Sequence, residues 1–221
     1  MGQKVNPRIF RTGILFPWSS KWYAPRQFFA RTLEVDTRIR KFVQKTLKNA
    51  GVARVEIERT MNSITIIIHA LKPGVIIGRQ GAGAEDLKKK IKQNFFGTTK
   101  TAIHLTIFEV DKPQLNASLV AQQMVEELEK RMPYRRVLKG ALDRVQKAGA
   151  LGVKVFVGGR LNGAEIAKRE TLSWGKIPLH TLRANIDYYR VTAHTMAGAL
   201  GVKVWIYKGD VFEEKPGKER S

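Results

Sequence analysis

Residues 73–94 read PGVIIGRQGAGAEDLKKKIKQN. An apolar, β-branched run, strand-like in composition, stops at Gly78. Two polar residues and Gly81 follow, and then Ala84, Leu87, Ile91 and Phe95 recur at helical spacing. Glycine tolerates positive φ and carries no Cβ, so Gly78-Arg79-Gln80-Gly81 lets a second chain approach the backbone closely. The helix behind it presents unpaired N–H groups and the positive end of its dipole. Arg79 adds a cation at the turn, Lys72 precedes the apolar run, and Lys88, Lys89, Lys90 and Lys92 continue along the helix. Together these are the parts of a phosphate clamp. The order GRQGAG is not the dinucleotide fingerprint GxGxxG, and no GxxxxGK[ST] loop occurs in the chain.

Working outward, Ile39, Phe42, Val43 and Leu47 share one face of a helix beginning at Asp36, with Gly51 suited to end it. VARVEIER and SITIIIHA alternate in polarity, with Val55, Ile57, Ile64, Ile66 and Ile68 turned inward and a hairpin at Asn62-Ser63. TAIHLTIFEV supplies a third strand through Ile103, Leu105 and Ile107. A lone GxxG is a common turn. In the order helix, strand, strand, GxxG, helix, strand, within a very basic chain, it resembles the type II KH module, whose loop clamps a few backbone nucleotides of single-stranded nucleic acid.

The 221 residues carry a formal net charge of +21, with a pI near 10.4 and 43% hydrophobic residues. Enough apolar mass is present for a packed core. An excess of this size resists compaction unless a polyanion neutralises it, which favours a nucleic-acid partner over a membrane surface or a merely solvated face. Cysteine is absent, which excludes disulfides and thiolate metal sites. His69, His104, His180 and His194 are scattered without metal-ligand spacing, so no metal is expected. The longest apolar stretch, ITIIIHAL, is too short to span a bilayer, and no export signal is visible. A soluble intracellular protein is expected.

Beyond Pro113 the chain opens a second region. LNASLVAQQMVEELEKRM and YRRVLKGALDRVQKAGA read as helices, and GVKVFVGGR (152–160) and GVKVWIYKG (201–209) as two strands of one sheet. On the second helix Leu138, Ala141, Leu142, Val145 and Ala148 share the core arc. Arg135, Arg136, Lys139 and Lys147 lie on a flank away from it, a stripe about 18 Å long at roughly 1.5 Å per residue, interrupted by Asp143. Residues 1–35 are basic, aromatic and proline-punctuated, an arm that docks on something else. Residues 210–221 form a polar tail.

The opening MGQKVNP, with Gly13, Pro17-Trp18 and Trp22 behind it, together with GRLNGAEIAKRE (159–170), IPLHTLRANIDY (177–188) and GVKVWIYKG, resembles the family of small ribosomal subunit protein three, bacterial type. The match runs in order from about residue 1 to 209. The resemblance implies an α+β protein of two domains. The first is a type II KH domain over 36–111, with a three-stranded sheet and helices. The second is an α+β domain over 112–209, with a mostly antiparallel sheet covered by two helices.

It further implies a structural constituent of the small-subunit head that binds small-subunit rRNA and neighbouring head proteins and lines the channel by which mRNA enters. No enzymatic activity, cofactor, metal, membrane or small-molecule substrate is implied, and bacterial and organellar ribosomes both fit. Gly78, Arg79, Gln80, Gly81, Lys72, Lys88, Lys89 and Lys92 become the KH loop and helix contacts. Arg131, Arg135, Arg136 and Lys139 match positions that touch incoming mRNA. Lys4, Arg8, Arg11, Lys147, Arg160, Lys168 and Arg169 are candidate rRNA contacts. Trp174, Tyr188, Tyr189 and Trp205 suit core or interface packing better than base stacking. Gln80 and Gly140 stand where many relatives are basic. A free RNA chaperone and an RNA-acting enzyme are the rival readings. The second lacks a Walker motif, zinc spacing or a dense carboxylate cluster.

Overall fold

The computed structural model describes residues 4–97 and 101–212. It divides into two units: Trp18–Pro113, and a second built from the N-terminal residues up to Pro17 together with the chain from Gln114 onward. The stretch expected as one docking arm is therefore shared out between them. The polar stretch 213–221 lies outside the described residues.

In the Trp18–Pro113 unit, α2 (Arg26–Thr46) packs Ile39 and Val43, both fully buried, into the core. It starts ten residues before the expected Asp36, because the amphipathic pattern marks only the part that the core covers. Gly51 ends the following turn in the left-handed region, φ 66°. β2 (Val52–Arg59) and β3 (Ser63–Ala70) form the expected antiparallel hairpin, and β4 (Ala102–Glu109) lies parallel to β3. The two-residue β1 (Ser20–Lys21) adds a short parallel edge beside β2, a fourth strand that its length hides in the sequence.

Buried Asp36 ties this edge together. It accepts hydrogen bonds from Trp22 Nε1 at 2.7 Å and Arg59 Nε at 2.7 Å, and pairs with Arg59 Nη2. A buried carboxylate needs such partners to offset its desolvation. Between β3 and β4 run α3 (Pro73–Ile77), the GxxG turn and α4 (Ala82–Ile91), which continues through one π-helical turn to Phe96.

The other unit places α5 (Ala117–Glu129) and α6 (Tyr134–Lys147) on one face of an antiparallel sheet in the order β6-β5-β8-β7. Its strands are β5 (Gly152–Gly159), β6 (Lys168–Gly175), β7 (Ala184–Thr195) and β8 (Gly198–Asp210). Val153, Val155 and Val157 on β5 and Val202, Val204 and Ile206 on β8 point to the helices, which bury Met124, Leu128, Leu138, Ala141 and Val145 against them. The short helix α1 (Pro7–Phe10) rests against β7.

Candidate nucleic-acid interface

The GxxG turn joins two helices rather than a strand and a helix. Pro73 pre-sets the first turn of α3, so the β-branched VII that follows is held helical over five residues. Gly78 has φ 69° and ψ −172°, a combination reserved for glycine, and Gly81 has φ 83°. Gln80 is itself left-handed, φ 50°. Gly83, which the sequence reading passed over, holds the two helices together. A Cβ there would sit 2.7 Å from the Ile76 carbonyl oxygen. The GAG spacing was the signal for it.

Arg79 and Gln80 in this turn, Lys72 at the start of α3, and Lys88, Lys89 and Lys92 at the far end of α4 are all exposed. Glu85 in the first turn of α4 is also exposed, so the helix N-terminus is partly compensated already.

The second cluster sits on α6. Arg135, Arg136, Lys139 and Lys147 are exposed; of the expected core arc Leu138, Ala141 and Val145 are buried, Leu142 and Ala148 are half-buried, and Val137, outside that arc, is buried as well. Arg144, on the same helix but outside this stripe, pairs with Glu127 at 2.9 Å. No acidic residue occupies the first turn of α6, so Arg135 and Arg136 stand against the positive end of the helix dipole without local compensation. Arg135 lies 5.8 Å from the Tyr134 ring centroid.

Arg131, one turn earlier, adopts φ 60°, and its guanidinium meets the Met196 thioether at the β7–β8 hairpin tip. Arg131 and Arg160 line one cleft of about 500 Å³ with Tyr134, Asn162 and Met196, which unites candidates the sequence had kept apart. Asn162 is left-handed too, φ 54°. Among the described residues the three non-glycine positive φ values, at Gln80, Arg131 and Asn162, all fall in these two clusters. Backbone strain of this kind gathers at functional sites.

Arg11 corrects an expectation. It is fully buried and cannot reach RNA. Its guanidinium donates to the carbonyls of Pro7 at 2.8 Å, Leu179 at 3.0 Å and Thr181 at 2.9 Å, pinning α1 to the loop before β7. A basic residue in a basic segment looks like a phosphate ligand until the fold supplies carbonyls for it. Arg8 is half-buried, 5.6 Å from the Phe16 ring centroid, whereas Lys4, Arg160, Lys168 and Arg169 are exposed. Among the described residues no group of three or more potential metal ligands comes together, and no helix is long and apolar enough to cross a membrane.

Comparison with known proteins bears on both units. Residues 38–115 match the KH domain model, and residues 124–206 match the model of the ribosomal protein S3 C-terminal domain. The small ribosomal subunit protein uS3 of Coxiella burnetii (strain RSA 493 / Nine Mile phase I) is 48% identical over 221 residues, covering 100% of this chain and 96% of that protein. The chain belongs to the uS3 family. The uS3 of Levilactobacillus brevis is 46% identical, covering 97% of this chain and 96% of its own. That of Pelotomaculum thermopropionicum is 48% identical, covering 97% and 91%. The KH match thus falls on the unit that carries the GxxG turn, and the S3 C-terminal match on the α5–α6 sheet unit.

Proposed function

We propose that this uS3-family chain is a structural, non-enzymatic component of the small ribosomal subunit in the cytoplasm that grips small-subunit rRNA and neighbouring head proteins and guides incoming mRNA. The GxxG turn, with Arg79 and the lysines of α4, takes RNA phosphates. Exposed apolar residues toward the N-terminus, Trp18, Tyr23, Phe28 and Phe29 among them, suit a protein neighbour.

The observation that carries the mRNA role is the uncompensated cation cluster at the positive end of α6. Arg135, Arg136 and Lys139 are free of ion pairs among the described residues and lie off the core arc. Opening an mRNA hairpin costs roughly 1.4 kcal/mol per base-pair step. The chain has no P-loop to supply that energy cyclically. The ribosome's translocation drives the strand, and the cations hold separated phosphates and bias base-pair fluctuations toward the open state.

Ribosomes carrying alanine at Arg135, Arg136 and Lys139 should elongate more slowly through a stable hairpin than through unpaired mRNA, relative to wild type, with subunit assembly unchanged. Equal slowing on both templates would refute the assignment.

A further inference from the structure

We propose that the outer face of the C-terminal sheet, the one turned away from α5 and α6, is a stacking platform for single-stranded RNA, separate from both the GxxG turn and α6. Because Val153, Val155 and Val157 face the helices, Lys154, Phe156 and Gly158 face outward. The registers extend this pattern across all four strands. One row reads Ser173, Lys154, Trp205, Tyr188; the next Thr171, Phe156, Lys203, Arg190; the third Arg169, Gly158, Gly201, Thr192. Three aromatic rings and four cations are interleaved, and no carboxylate appears in the twelve positions.

The cations have no carboxylate partners among the described residues. Lys154 lies 5.6 Å from the Trp205 ring centroid and Lys203 lies 5.2 Å from that of Phe156. Ammonium groups held by rings can turn to phosphates without breaking an ion pair. Trp205 and Tyr188 are in contact, with centroids 5.1 Å apart. The Phe156 ring lies over Gly158, whose added Cβ would meet it at 3.0 Å, and Gly201 opposite leaves the floor beside it bare.

Successive outward positions on a strand are about 6.6 Å apart and cross-strand diagonals about 7–8 Å. Rings on a four-stranded sheet at such spacing stack two or three bases. Both charge and ring chemistry therefore select a polyanion with π faces. The N-terminal arm bounds the platform on β7, against which α1 rests and at whose start Ile186, on the same face as Tyr188, is fully buried. The C-terminal unit would then hold RNA on its sheet side while presenting α6 on the opposite side.

This inference rests on the proposed reading that the chain binds RNA, and a site-resolved probe separates the two. Full-length protein labelled with 5-fluorotryptophan gives a 19F signal for Trp205, assigned with Trp205→Phe. Titration with oligoadenylate should shift that signal. Trp205→Leu with Phe156→Leu should weaken oligoadenylate binding about fivefold or more. Lys154→Gln with Lys203→Gln should lower the slope of log affinity against log salt by about 1.4, at roughly 0.7 per single-strand phosphate contact.

A Trp205 signal unmoved by saturating RNA overturns the platform even if the chain binds RNA elsewhere. A signal moved only by oligoglutamate overturns it in favour of an acidic protein partner. Absence of any RNA binding in anisotropy overturns the broader reading along with it.

Discussion

Gly81 separates the binding role of the GxxG turn from its folding role. Its φ of 83° and ψ of −1° lie in the left-handed region, and a Cβ built there meets nothing within 4 Å. Gly78 is a poorer place to test, since its backbone is open only to glycine and a Cβ would press on the Gly83 nitrogen at 3.0 Å. Asparagine and aspartate enter the left-handed region at a similar cost of about 1 kcal/mol. Gly81→Asn and Gly81→Asp therefore differ in charge and hardly in backbone.

A carboxylate about 5 Å from a bound phosphate repels it by about 1 kcal/mol at the dielectric of water and about 3 kcal/mol at an effective value near 20. That range corresponds to roughly a 5- to 150-fold loss of affinity. The assay is a titration with a single-stranded tetranucleotide, read from the amide NMR shifts of Ala82, Gly83 and Ala84, with thermal melts to verify folding. Gly81→Asn should bind nearly as wild type and Gly81→Asp much more weakly. Equal affinity of the two folded variants would refute the phosphate clamp.

Arg11→Met should destabilise the C-terminal unit by about 2–4 kcal/mol, because the buried Pro7 carbonyl and the part-buried Leu179 and Thr181 carbonyls lose their donor, at about 1–3 kcal/mol for a fully buried group and less where water can replace it. Urea unfolding measures this, and a loss under about 1 kcal/mol would remove the clamp role. Gly83→Ala should destabilise the KH unit by about 1–3 kcal/mol through overpacking against the Ile76 carbonyl. Thermal melting followed by the NMR signals of that unit checks it, and an unchanged midpoint would contradict the close approach.

Legibility in the sequence followed the range of the interactions involved. The alternation of SITIIIHA and the arc of α6 were readable because burial imposes a period directly on the residues. α3 was not. Five residues carry too little periodicity, and only Pro73 at the first helical position hinted at it. Arg11 was misread because its partners lie some 170 positions away, at Leu179 and Thr181. The outward row of Lys154 and Phe156 was latent in VKVFV, but its meaning needed the registers that bring Trp205, Lys203 and Arg190 alongside. The GxxG cations stand where the sequence put them, since an exposed turn between two helices is a local feature.

The central claim is permanent residence in the small subunit, and it is tested most directly by sedimentation. Small subunits prepared from cells expressing a tagged copy of the chain are washed at high salt, which strips proteins held by counterion release alone. Exposed aromatic and apolar contacts should survive that wash. The account predicts one copy of the chain per small subunit after the wash. Recovery of the chain in the free fraction, with small subunits lacking it, would contradict the account and mark the protein as a transient RNA binder.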